Sequence, residues 1–445
     1  MKRKLLLISI ILSLGSAGTM PAQVYNKMPW GTISQHGIIR QNNIAYYETP
    51  GGEGKFVYFS SLTTGTPLYS VNVPDGWSIK DFHIIDTIAY FCGTNTISHT
   101  ALLGHFGITN LVAGTGNITF HYDINSLGLA VLNRMAVNGG KRAENIIAIG
   151  LENTYDDPNT KGADHVLYVE NYHGPATCRL FFMGDKDELY WDVVKTDNYF
   201  VVAGTDNPLL NTLTLRRVPV GTPAINFLPY FEIQHWYPCP DTFASGICMS
   251  ALNNDSVIMA SYYRTSPYTA LRLFTLSAAT GLMDYNQYCG MMMLSDLTSF
   301  APPPDMAYLN NRRELMLIDS ILLGHSQFYR LDPYPTSWLY VPQYYYYSTG
   351  PGLYANSQYY SIHPVPPNGF MAAEREGWMM LDLSTLPAAT YSTDCFQSYT
   401  TDLFTDTTYT MHTNVKGKDV PYQIIFGRAA NMVTVHHLMP GCPRP

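Results

Sequence analysis

The chain has 445 residues, and its 26 Lys and Arg against 34 Asp and Glu give a formal charge of −8, with no basic run after the first four residues. Phosphate neutralisation needs a surplus of Lys and Arg on some face, so this balance argues against a nucleic-acid partner. Only 13% of residues are charged while another 13% are aromatic, so hydroxyls and amides must do much of the solvating, as suits an exported β-protein.

Lys2, Arg3 and Lys4 precede an apolar run from Leu5 to Leu14, and small or polar residues follow from Gly15 to Gln23. This is the layout of a secretory signal peptide over residues 1–23, with cleavage expected between Gly18 and Gln23. The run is about half of what a helix needs to cross a bilayer, and no later segment is long enough, so no transmembrane segment is expected.

From there the chain repeats itself. A leading Asp or Asn, a short apolar or aromatic strand, a small residue and a polar turn are answered by a second apolar strand, at a spacing that marks a propeller or array. The first copy runs from Asn43 through Tyr47, answered by Phe56 to Phe59. The second is Asp86-Thr87-Ile88-Ala89-Tyr90-Phe91-Cys92-Gly93, answered by Ala101 to Phe106. Further copies begin near Ile146, Tyr199, Val257, Leu315, Phe370 and Tyr422, the last being Tyr422 to Phe426 with Met432 to Val435. Between hairpins, Trp77 to Ile84 and Leu189 to Val194 supply further strands that would complete four-stranded blades. Near-continuous apolar strands point to sheets buried on both faces, as when blades stack on their neighbours. The 29 prolines and 34 glycines are spread through the turns. The expected fold is therefore all-β, a single β-propeller of seven or eight mostly four-stranded blades over residues 24–445.

The leading Asp86, Asp197 and Asp255 read as turn residues whose side chains bond backbone amides two positions onward; a repeated acidic position could instead line a shared funnel. Seven cysteines are too few to stabilise a chain of this size, so burial must do so. Cys92 reads as a buried free thiol, and Cys239 with Cys248, or Cys395 with Cys442, as local bridges.

Signatures of common enzymes are missing: no His-Glu-x-x-His, phosphate loop, Gly-x-Ser-x-Gly, dinucleotide fingerprint or Cys-x-x-Cys occurs. The loop from Tyr155 to Asp164 gathers carboxylates that could attract calcium, but its spacing is wrong and Lys161 opposes the charge, so it reads as a solvated hairpin tip. His436 and His437 point to opposite faces of a strand, so no metal site and no cofactor are expected. Asp185, Asp187, Glu188 and Asp192, and Glu374 with Glu376, read as solvated turn residues, and no catalytic residue is assigned. The densest tyrosine cluster, with Trp338, Tyr340, Tyr345, Tyr347 and Tyr354, is the candidate binding surface, because flat rings with a polar tip stack on sugars or anchor a protein partner. Alternatively these rings pack between blades.

The leader end Ala22-Gln23, the hairpin from Asp86 to Gly93 and the closing Leu103-Gly104-His105-Phe106 resemble the repeated hairpins of uncharacterised exported proteins of Bacteroidales-type bacteria. That resemblance implies an envelope or extracellular propeller-like protein without an assigned activity. The expectation is a secreted, periplasmic or cell-envelope scaffold without catalysis that binds a protein or glycan on one face of the ring. The alternative is a secreted enzyme acting on polysaccharide or peptide in the central funnel.

Overall fold

The structure is a computed structural model that describes residues 24–27, 38–39, 43–48, 52–59, 67–124, 128–152, 165–174, 177–182, 187–207, 212–221, 230–234, 243–252, 255–265, 268–279, 289–294, 305–309, 314–321, 325–331, 359–365, 369–374, 377–382, 408–412 and 421–436. The leader region 1–23 lies outside them. Among the described residues one short helix, α1 (Thr109–Ala113), interrupts an otherwise β architecture.

After β1 (Val24–Lys27), strands follow in consecutive antiparallel groups. Blade 1 is β2 (Ile38–Ile39), β3 (Ile44–Glu48), β4 (Gly54–Phe59) and β5 (Pro67–Asn72). Blade 2 is β6 (Trp77–Ile85), β7 (Ile88–Asn95), β8 (Thr100–Gly107) and β9 (Asn117–Asp123). Blade 3 is β10 (Leu129–Asn138), β11 (Asn145–Glu152), β12 (His165–Glu170) and β13 (Thr177–Phe182). Blade 4 is β14 (Asp187–Lys195), β15 (Tyr199–Asn207), β16 (Thr212–Pro219) and β17 (Tyr230–Gln234). Blade 5 is β18 (Phe243–Ala251), β19 (Ser256–Thr265), β20 (Tyr268–Ser277) and β21 (Cys289–Leu294). Blade 6 is described by β22 (Asp305–Leu309), β23 (Glu314–Ile321) and β24 (His325–Leu331), and blade 7 by β25 (Tyr359–Val365), β26 (Gly369–Glu374) and β27 (Gly377–Asp382).

The first strands of successive blades pack side by side: β2 on β6, β6 on β10, β10 on β14, β14 on β18, β18 on β22, β22 on β25, and β25 back on β2. Seven inner strands thus close a circle, and the fold is a seven-bladed β-propeller. The chain's beginning closes the ring, because β1 adds antiparallel to β27 with Tyr25 opposite Met379. Each of the first seven hairpins read from the sequence is the second and third strand of a blade.

The eighth hairpin is not a blade. β28 (Thr408–His412) adds to the outer edge of β17, β29 (Pro421–Gln423) to β13, and β30 (Phe426–Val435) first to β9 and then to β5. The C-terminal segment therefore runs backwards around the rim, from blade 4 to blade 1, covering edges that would otherwise present unpaired backbone groups. Its composition resembles a blade strand, but β30 alternates between exposed and half-buried residues, whereas β12 is buried along almost its whole length.

A recurrent device shapes the inner strands. In blades 2, 3 and 4 the register slips by one residue, between Ile79 and Asp81, Leu132 and Arg134, and Tyr190 and Asp192. Opposite each slip stands a glycine of the second strand: Gly93, Gly150 and Gly204. A Cβ on Gly93 would stand 2.1 Å from the Ser78 carbonyl oxygen, and one on Gly150 would stand 2.4 Å from that of Val131, so the bulged strand approaches only because no side chain is there. The apolar-run-then-glycine motif thus encodes a bulge, and the residue after it, Asp81, Arg134 or Asp192, lines the channel.

Between blades 1 and 2 the core is aromatic. Phe56 is fully buried, with ring centroids 4.8 Å from Phe106, 5.2 Å from Tyr46 and 5.3 Å from Phe82. Truncating such a ring costs about 3–5 kcal/mol, so apolar burial between blades outweighs any single polar contact described below.

Candidate functional site

The channel at the centre of the ring holds a cavity of about 370 Å3, lined by inner strands of blades 2 to 7. Asp81 on β6, Arg134 on β10, Asp192 on β14 and Asp305 on β22 all face it. Asp81 is 2% exposed and Asp192 8%, so neither is a surface group.

Each carboxylate reaches the next blade. Asp81 Oδ2 accepts the Met135 amide at 3.0 Å, Asp192 Oδ2 the Met249 amide at 2.7 Å, and Asp305 Oδ2 the Ile362 amide at 2.9 Å. Asp192 Oδ1 also accepts the Val193 amide at 2.8 Å. Hydrogen bonds to a charged acceptor in a buried site contribute about 1.5–3 kcal/mol each. These three bonds tie blade 2 to 3, blade 4 to 5 and blade 6 to 7. His83 Nε2 lies 2.7 Å from the Met135 carbonyl, which can only accept, so this nitrogen carries the proton; its 3.6 Å separation from Asp81 Oδ2 is too long for a hydrogen bond.

Arg134 stands among the three acids. Burial works against its charge, but Asp305, Asp192 and Asp81, in that order, outweigh burial and hold the guanidinium pKa above its usual range. For Asp192 burial wins: its pKa is pushed up to about 6, although Arg134 and the Met249 and Val193 amides pull down and Asp305 adds to the rise. Three carboxylates stand against two cationic side chains, Arg134 and Lys195, and His83 and His363 also line the channel.

A second polar cluster sits where blades 2 and 3 meet the C-terminal segment. His105 on β8 stacks on His121 of β9 at 4.9 Å and meets His173 edge-on at 4.8 Å. Tyr90 Oη accepts the Ala143 amide at 2.8 Å and lies 2.7 Å from His173 Nε2, while Tyr172 Oη lies 3.2 Å from His105 Nδ1. Phe426 of β30 packs against both His105 and Tyr172. Burial, then His173 and His121, push the His105 pKa down to about 3. His121 is lowered by burial and Arg428, and His173 by burial, Arg142 and His121. All three rings are therefore neutral at neutral pH. Among the described residues no group of three or more His, Cys, Asp or Glu is placed to hold a metal ion.

Of the residues read from the sequence, Trp338, Tyr340, Tyr345, Tyr347 and Tyr354 lie outside the described residues, between β24 and β25. The Tyr155 to Asp164 loop, Asp185, Glu376, Cys239, Cys395, Cys442 and His437 lie outside them too. Asp192 corrects the reading of its neighbourhood as a solvated turn: it sits within β14, buried by the channel. One turn residue, Asp255, needs a correction as well. Asn43, Asp86 and Asp255 adopt φ of 58°, 52° and 58°, the left-handed region that Asn and Asp tolerate best. The Asp255 carboxylate, however, turns to blade 4, accepting Asn198 N at 2.8 Å, Asn198 Nδ2 at 2.6 Å and Thr196 Oγ1 at 2.9 Å. Burial alone would raise its pKa, but these donors, with Lys195, lower it. His436 closes the C-terminal segment on β5, its Nε2 2.8 Å from Ser70 Oγ. Cys92 and Cys248 are both buried.

Sequence reasoning missed Asp81, Arg134 and Asp305. Asp81 and Asp192 precede Gly93 and Gly204 by the same number of residues, a signal that could have found two of the three acids.

Among the described residues no helix is long and apolar enough to cross a membrane. No protein-family model matches the chain, and no curated protein matches it. Among solved structures it is similar to "Drosophila Semaphorin 1a, extracellular domains 1-2" at 8% identity and a TM-score of 0.43, over 82% of this chain and 88% of that one. The assignment of the ring rests on the packing of its seven inner strands rather than on that likeness.

Proposed function

We propose that this chain is an exported propeller scaffold without catalysis, which binds a protein or glycan across one face of the ring at the cell envelope. The observation that carries this reading is the use of the channel acids. Asp81, Asp192 and Asp305 each hold a backbone amide of the next blade, so the groups best placed for acid–base chemistry are engaged in holding the ring together. Recognition then falls to segments outside the blade strands, and Trp338, Tyr340, Tyr345, Tyr347 and Tyr354, between β24 and β25 in sequence, supply rings suited to a sugar face or a protein anchor. The leader-like segment 1–23 supports export.

The chain from residue 24, screened on a glycan array and in hydrolysis assays against polysaccharides and peptides, tests the reading. Binding without turnover, weakened by Tyr345→Ala with Tyr347→Ala at an unchanged melting temperature, supports it. A large fall in melting temperature for that pair would make the cluster core instead of surface.

A second reading, an enzyme acting on polysaccharide or peptide in the funnel, draws on the convergence of Asp81, Arg134, Asp192 and Asp305 from four blades on one cavity. Turnover abolished by Asp192→Asn in a folded protein would establish it in place of the first.

A further inference from the structure

Arg134 carries five N–H donors, yet among the described residues its guanidinium makes no hydrogen bond or ion pair. It lies inside the ring, and the surface it keeps faces the cavity. Asp305, Asp192 and Asp81 line the same cavity and favour its charge. An occupant of the cavity that accepts from the guanidinium and donates to the carboxylates would satisfy both sides. Asp305 Oδ2 is engaged by a single amide, and an ionised carboxylate offers about four acceptor positions, so capacity remains.

The chemistry of the walls narrows the occupant. An anion would meet three carboxylates for two cationic side chains, Arg134 and Lys195. A simple cation would satisfy the acids and leave every Arg134 donor unmet. A hydroxyl does both jobs, accepting from the guanidinium with its lone pairs and donating its hydrogen to an aspartate. Adjacent hydroxyls on a rigid ring repeat this at the spacing of a guanidinium fork. A cavity of about 370 Å3 takes one such ring, and Met135, Val193 and Ile362 offer apolar wall to its C–H faces. We propose that the channel is a binding site for a single neutral sugar unit, held through vicinal hydroxyls between Arg134 and the channel aspartates. This proposal does not use the tyrosine cluster and goes beyond the reading given for it.

The test is a calorimetric and ligand-detected NMR titration of the chain from residue 24 with a panel of neutral monosaccharides, alongside glycine as a zwitterion, inorganic phosphate, and ethylamine. The expected result is saturable millimolar binding of at least one monosaccharide, weakened about tenfold or more by Arg134→Met, as loss of a charge-assisted bidentate contact predicts. Asp305→Asn, which keeps an acceptor for the Ile362 amide, gives the same direction should Arg134→Met fail to fold. Tighter binding of glycine, phosphate or ethylamine than of any sugar would overturn the proposal. So would no saturable sugar binding, with water alone filling the cavity, or sugar binding indifferent to both substitutions. Arg134→Met reads the channel and Tyr345→Ala with Tyr347→Ala reads the tyrosine cluster, so either site can fail while the other stands.

Discussion

At the axis, neighbouring blades are joined by side chains: Asp81, Asp192 and Asp305 each bind a backbone amide of the next blade. At the rim they are joined by main chain, with β28, β29 and β30 added to the outer strands of blades 4, 3, 2 and 1. The contrast follows from geometry. Inner strands face a cavity at the axis, and there a short polar side chain does the linking. Outer edges diverge and present open ladders, which a strand satisfies along its length. The axis is therefore ionic and titratable, whereas the rim is stabilised by ladder bonds and by buried residues such as Ile424 and Val433.

Breaking the rim should have the largest effect. Removing residues 408–445 uncovers the edges of β17, β13, β9 and β5 at once, and the expected loss exceeds about 5 kcal/mol, with self-association through the bared strands. Thermal melting and size-exclusion chromatography would read this. An unchanged melting temperature would show that the rim strand adds nothing to the ring.

The axis should break in smaller steps. Asp192→Ala strands the Met249 and Val193 amides in a buried site and is expected to cost about 2–3 kcal/mol by urea unfolding. Asp81→Ala and Asp305→Ala, which strand the Met135 and Ile362 amides, should cost about 1–3 kcal/mol each.

Acidity separates the two regions further. His105, beside β30, has a pKa lowered from 6.5 to about 3, so its contribution is present above pH 6.5 and is lost as the pH falls toward about 3. Asp192 has a pKa raised from 3.8 to about 6, so its contribution is full below about 3.8 and is lost as the pH rises through about 6. Acidification thus loosens the rim while relieving the axis. From neutral pH to pH 5 the His105 loss of roughly 2 kcal/mol is offset by an Asp192 gain of roughly 1 kcal/mol, so melting temperatures should fall only slightly, and His105→Gln should abolish that fall while Asp192→Asn steepens it. The smallest effect belongs to Asp305→Asn, about 0.5 kcal/mol at neutral pH, since the amide oxygen can still accept from Ile362.

The blades were legible in the sequence because, in blades 1 to 3, the second and third strands are largely buried on both faces, so runs such as Ala89 to Cys92 and Val166 to Val169 stand out as unbroken apolar segments. The last segment deceived because Tyr422 to Phe426 and Met432 to Val435 have similar composition, although β30 ends as edge strands do, half-exposed. The channel was harder to see. The residue after the bulge is Asp in blades 2 and 4 but Arg in blade 3, so no repeated residue type marks the position. The histidine cluster joins β8, β9 and the turn after β12, positions far apart in sequence and joined only once blade 3 stacks on blade 2.

The account depends above all on a ring closed by the first strand of the chain. Paired thiols at opposed positions of an antiparallel pair fall within disulfide reach. Tyr25→Cys with Met379→Cys, oxidised in the folded chain and mapped by mass spectrometry, should give an intramolecular link between those two positions, because they face each other in the β1–β27 register. A folded protein in which these thiols never join, or in which the residue 25 thiol links to a different blade, would contradict the closed seven-bladed ring.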